Sequence, residues 1–166
     1  MKQEVASFLD YVAHSPTVFQ ATQQACDMLD AAGFTRLSEH EAWEILPGGR
    51  YYVTRNRSAL VAFAVPENGF THCQIVASHG DSPTFKLKAH AEGEAAGAYI
   101  RLDVEPYGGM IMSTWFDRPL SIAGRALVRE DGRLVTRLID LDRDAALIPN
   151  MPIHFNRDIN SGYSYN

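Results

Sequence analysis

The sequence predicts an α/β fold whose second half is mainly β. Three observations predict it. Two apolar stripes at helical spacing open the chain. Short β-branched and aromatic runs, separated by turn residues, follow them. After residue 85 no strong amphipathic helical pattern returns.

Val5, Phe8, Leu9 and Val12 give the first helix. Ser15-Pro16 offers an N-cap and a proline at the first position of a second helix. Its stripe is Val18, Ala21, Ala25, Met28 and Leu29, and Gly33 stops it. Ser38-x-x-Glu41 has the form of a capping box before Trp43. Tyr51–Arg55 and Leu60–Val65 read as strands joined by Asn56-Arg57-Ser58. Ile75–Ala77 reads as a buried strand that Gly80 and Ser82-Pro83 end. Further on, Phe85, Leu87 and Ala89 alternate with Lys86 and Lys88, a half-exposed strand. Tyr99–Val104, Leu120–Val128 and Leu134–Ile139 are also strand-like, and Asp131-Gly132 makes a hairpin of the last two. The shift from mixed α/β to mainly β sets an expected boundary between residues 1–88 and 89–166. Ser161–Asn166 ends no recognisable element.

Composition limits the function classes. The 166 residues are 46% hydrophobic and 21% charged, enough apolar material for a sizeable core. A net charge of −5 and a pI near 5.6 argue against nucleic-acid and anionic-membrane partners. The opening Met1-Lys2-Gln3-Glu4-Val5 lacks the apolar run of a secretory signal, and no membrane-length apolar run follows. Cys26 and Cys73 both lie in apolar-patterned segments, which suits buried free thiols in a reducing cytoplasm.

The candidate chemistry centres on His79-Gly80-Asp81. At the carboxyl end of a strand, a His-x-Asp pair can hold a metal through one imidazole nitrogen. The other N–H then donates to the carboxylate, which fixes tautomer and ring direction. The same tripeptide also describes a plain loop hydrogen bond. Cys73 beside His79 suggests a Cys-His nucleophile, but no third group orients it, and a buried structural cysteine is the better reading.

Five blocks, in order, resemble the aspartyl aminopeptidases, dinuclear-zinc peptidases with a β-rich dimerisation domain inserted in the catalytic domain. They are Ser15-Pro16-Thr17-Val18-Phe19, then Gly49–Asn56, then Ser78-His79-Gly80-Asp81-Ser82-Pro83. The fourth and most specific runs from Tyr107-Gly108-Gly109 through Ser113-Thr114-Trp115-Phe116-Asp117-Arg118 to Leu120–Arg125. The fifth is Ile148-Pro149-Asn150 with Ile153-His154-Phe155-Asn156-Arg157. Gly80 stands where the family has Thr, and Pro119 where many members have Asp.

The resemblance implies a fold: the N-terminal part of a zinc-exopeptidase α/β/α catalytic domain, residues 1–88, followed by part of the β-rich dimerisation domain, residues 89–166. It implies release of N-terminal, acidic residues from peptides by a homo-oligomer carrying two zinc ions per site. His79 becomes a metal ligand and Asp81 its orienting partner. His154 becomes a catalytic residue that reaches a neighbouring subunit's site and holds the scissile carbonyl or its oxyanion. His14, His40, His72 and His90 match no functional position of the family. Asp117-Arg118 is expected to be a structural ion pair. The family's other metal ligands and its general base lie in a later part of the chain, so this sequence resembles an N-terminal portion. The alternative is a non-catalytic assembly module.

Overall fold

A computed structural model describes residues 2–162, so Tyr163–Asn166 of the terminal segment lie outside the described residues. The chain forms two compact units. One comprises Met1–Ser82 with Ala123–Asp140, the other Pro83–Ile122 with Leu141–Asn166. The boundary expected after residue 88 falls inside a strand, and residues 123–140 join the first unit.

In the first unit α1 (Gln3–Ala13) carries the predicted stripe, but Val5, Phe8, Leu9 and Val12 remain exposed. The Tyr11 hydroxyl ties α1 to α2 by donating to the Ala21 carbonyl at 3.1 Å. Helix α2 (Val18–Ala31) starts two residues later than Ser15-Pro16 suggests. Thr17 is the N-cap, and its hydroxyl accepts the Phe19 N–H at 3.2 Å. Its far end is a Schellman closure. Gly33, at φ 78°, donates to Asp30, and Phe34 donates to Leu29.

A three-stranded sheet follows, in the order β1 (Thr35–Leu37), β2 (Arg50–Arg55), β3 (Ala59–Ala64). The β2–β3 hairpin is antiparallel and turns through Asn56 and Arg57, both left-handed. The short parallel strand β1 has no clear periodic signal in the sequence. Between β1 and β2 there is no helix after the Ser38-x-x-Glu41 box. The Ser38 hydroxyl accepts from His40, and the Ser38 carbonyl accepts the Trp43 indole N–H at 2.7 Å. Pro47-Gly48-Gly49 leaves no length for a helix before β2.

The core sits on β2. Tyr52 is fully buried, and its hydroxyl donates to Asp30 at 2.8 Å. Cys26 is buried on the same helix as Asp30. Tyr51 points to the other face of the strand, is also buried, and packs at 5.6 Å on Phe63. Its hydroxyl accepts the Leu46 N–H at 2.9 Å. A side chain at Gly49 would meet the Tyr51 ring within 2.3–2.6 Å, which is why glycine stands there.

The hairpin β6 (Ala123–Glu130) with β7 (Arg133–Asp140) belongs to this unit through two side chains. Buried Gln20 of α2 donates from Nε2 to the carbonyls of Ile139 at 2.9 Å and Gly124 at 3.4 Å. Thr17 donates to its Oε1, which orients the amide. Arg125 lies 4.2 Å over the Phe19 ring and donates to the Asn56 carbonyl at 2.7 Å.

The second unit is built on the antiparallel pair β4 (Thr84–Ala95) and β5 (Tyr99–Tyr107), whose register shifts between Leu87 and Glu92. Both strands run longer than their alternation suggests. A 3₁₀ turn, Met112–Trp115, follows, and Trp115 meets Phe85 edge-on at 5.3 Å. Phe116 bridges to Ile148, and Leu120 to Ala146.

Candidate functional site: the His79 loop and the His154 turn

His79 lies in an irregular stretch that leaves β3 and runs to Pro83. The expected strand over Ile75–Ala77 is absent. Ile75 and Val76 are 82% and 99% exposed, and Cys73 is exposed rather than buried. The physical reason is pairing. Among the described residues no strand lies beside this run to take its backbone groups, so its β-branched residues have neither ladder nor core.

The local geometry at His79 is nonetheless well defined. Its Nδ1 lies 2.8 Å from the Asp81 main-chain carbonyl and 3.5 Å from the Asp81 carboxylate oxygen Oδ1. A carbonyl can only accept, so Nδ1 carries a proton, which in the neutral ring puts the lone pair on Nε2. The Asp81 carbonyl is the nearer acceptor, and the carboxylate that the sequence suggested lies beside it at 3.5 Å. The His79 side chain is 84% exposed, which leaves Nε2 open to a ligand.

His154 belongs to the second unit and is exposed. The Pro152 carbonyl accepts from both Phe155 at 2.9 Å and Asn156 at 3.2 Å, so His154 stands at the bend of a closed turn. The approach to that turn is fixed by Asp117. Oδ1 of Asp117 accepts the Asn150 main-chain N–H, and Oδ2 accepts the Asn150 side-chain amide, each at 2.9 Å. Asn150 thus takes the place of the expected Arg118 partner. These donors, the backbone N–H first, hold the Asp117 carboxyl below the usual carboxylate range.

Elsewhere in the first unit a cavity of about 10 Å³, lined by Phe19, Thr22, Cys26, Arg36, Thr54 and Arg57, has room for one water molecule. Burial raises the Cys26 thiol pKa there. No helix among the described residues is long and apolar enough to cross a membrane.

Residues 11–166 match the family model described as aminopeptidase I zinc metalloprotease (M18). The chain belongs to the M18 family. It is 42% identical over 160 residues to a probable M18 family aminopeptidase 2 of Pseudomonas putida, covering 95% of this chain and 37% of that one. A chain of the structure described as "Cryo-EM structure of the Ape4 and Nbr1 complex" is 42% identical, with a TM-score of 0.91 over 97% of this chain and 31% of that one. The structure described as "Structure of S. cerevesiae mApe1 dodecamer" is 30% identical, with a TM-score of 0.80 over 90% of this chain and 36% of its own. The chain therefore spans less than two-fifths of each, and it corresponds to their N-terminal portion.

Zinc, which the M18 description implies, can be tested against the residues present. His79 fits as one ligand: the Asp81 carbonyl holds its Nδ1–H, and the side chain is exposed. A catalytic zinc takes about three protein ligands. Among the described residues no group of three or more His, Cys, Asp or Glu side chains is gathered to supply them.

Proposed function

We propose that this chain is the N-terminal part of a zinc aminopeptidase that releases N-terminal, acidic residues from peptides. The observation that carries the reading is the His79–Asp81 hydrogen bond within an M18 sequence. It prepares Nε2 of His79 as a ligand to one of two zinc ions. Zinc supplies Lewis-acid polarisation of the scissile carbonyl and acidifies a water molecule. Asp81 holds the imidazole through its carbonyl. His154 donates to the developing oxyanion in a neighbouring subunit of a homo-oligomer. The remaining ligands and the general base come from residues outside this chain, and we place the enzyme in the cytoplasm.

The test is zinc content and turnover in the full-length enzyme, with Asp-, Glu- and Leu-linked chromogenic amides. His79→Ala should lose zinc and most activity. Asp81→Asn keeps the carbonyl and should cost less than the roughly 10–100-fold of a lost orienting partner. Unchanged zinc in His79→Ala would sink the assignment, and faster turnover of the Leu amide would sink the acidic preference.

A second reading rests on the ligand count, since no group of three or more candidate ligands is gathered among the described residues: the 166-residue chain alone is a non-catalytic assembly module. Zinc-loaded, it should then show no turnover. Chelator-sensitive turnover close to that of an intact relative would overturn it.

A further inference from the structure

We infer that Asp117 is a positioning residue for His154, acting through its two-point hold on Asn150. The inference rests on the proposed role of His154 and adds the device that places it. Asp117 is at φ 55°, in the left-handed region that few residues other than glycine, asparagine and aspartate adopt readily. That backbone turn separates Phe116, bridged to Ile148, from Leu120, bridged to Ala146. The Asp117 N–H donates to the Ile148 carbonyl at 2.9 Å, and its carboxylate takes both donors of Asn150. The segment Ile148–Asn150 is therefore held by main chain and side chain together. Met151 follows, and the Pro152 turn then presents His154. A non-glycine residue in a left-handed conformation is worth keeping where its side chain does something glycine cannot. Here it fixes the start of a four-residue approach to an exposed histidine.

Placement errors of about 1 Å can cost on the order of 100-fold in rate. The experiment uses the zinc-loaded, assembled full-length enzyme and a double-mutant cycle. Asp117→Gly keeps the backbone conformation and deletes the carboxylate; it should lower kcat by roughly 10–100-fold with little change in KM or zinc content. Asp117→Asn tolerates the same φ and keeps one acceptor, so it should recover most of the loss. In a His154→Ala background, Asp117→Gly should cost nothing further. Hydrogen exchange across residues 148–156 should speed up in Asp117→Gly. Unchanged exchange or unchanged kcat in Asp117→Gly overturns the inference. An equal loss in both backgrounds also overturns it, because Asp117 would then act on something other than His154. If His154→Ala itself is silent while exchange speeds up, the reading of His154 fails separately, and the positioning role falls with it.

Discussion

The Tyr52 hydroxyl donates to the Asp30 carboxylate at 2.8 Å, joining the central strand β2 to helix α2, with Tyr52 buried and Asp30 exposed. Burial first, and then this bond, push the Tyr52 pKa from its ordinary 10 up to about 12. A folded-state pKa above the unfolded value stabilises the fold below the unfolded one. That stabilisation is fully present below pH 10 and is lost as pH rises from 10 to 12. In a spectrophotometric titration, Tyr52→Phe should leave the tyrosinate amplitude near pH 10 unchanged and remove amplitude near pH 12. It should also cost about 0.5–1.5 kcal/mol at neutral pH, the net worth of one hydrogen bond, because exposed Asp30 takes water in place of the hydroxyl. Loss of amplitude near pH 10 would contradict the buried bond.

Gly49→Ala should destabilise the first unit. The new methyl collides with a ring that cannot yield, because Tyr51 is buried and its hydroxyl is tied to Leu46. Overpacking of this kind costs about 1–3 kcal/mol. Gly124→Ala is the control, since a methyl there meets nothing within 4 Å. Its effect should stay within about 0.5 kcal/mol. Urea midpoints of the two variants give the comparison, and equal midpoints would refute the collision.

The two cysteines should react in order. Cys73 is exposed, whereas Cys26 is buried with its thiol pKa raised by that burial. Iodoacetamide on the native chain should label Cys73 alone, read by mass spectrometry. Cys26 should be labelled at the rate of unfolding. Fast native labelling of Cys26 would mean that the α2–β2 packing opens freely.

His154→Ala in the full-length enzyme should lower kcat by about 100–1,000-fold, the usual cost of an oxyanion donor, with zinc and assembly intact. If the histidine works in trans, mixing this variant with His79→Ala should restore part of the activity. Some sites would then combine one subunit's metal centre with another's His154. Confirmed subunit exchange without recovery would exclude action across subunits.

Local signals were the legible part of this fold. Periodicity located α1 and α2, and Asn56-Arg57 and Asp131-Gly132 located two hairpins whose turns are left-handed. Features that depend on partners were not legible. Ile75–Ala77 has the composition of a buried strand but no neighbour among the described residues to pair with. Gln20 looks like a polar helix residue, yet it is buried because two carbonyls arrive from 104 and 119 residues away. At the candidate site, His79 and Asp81 do meet, as their spacing suggests, but through a main-chain oxygen that no side-chain pattern encodes. Asp117 next to Arg118 invited an ion pair. The left-handed turn sends the carboxylate to Asn150 instead.

Gln20 and Arg125 have a further consequence for the order in which the protein can be made. The first unit takes its last two strands, β6 and β7, from residues that emerge from the ribosome only after the second unit's β4 and β5 have been synthesised. Until residues 124 and 139 are out, the Gln20 amide lacks its two carbonyls, and the Phe19 ring waits for its guanidinium cover until residue 125. Closing so long a span is entropically slow, and contacts of this separation form late. Translation paused between residues 82 and 122 would leave α2 with its hairpin-binding face bare, a species suited to chaperone capture or to pairing with another chain's hairpin.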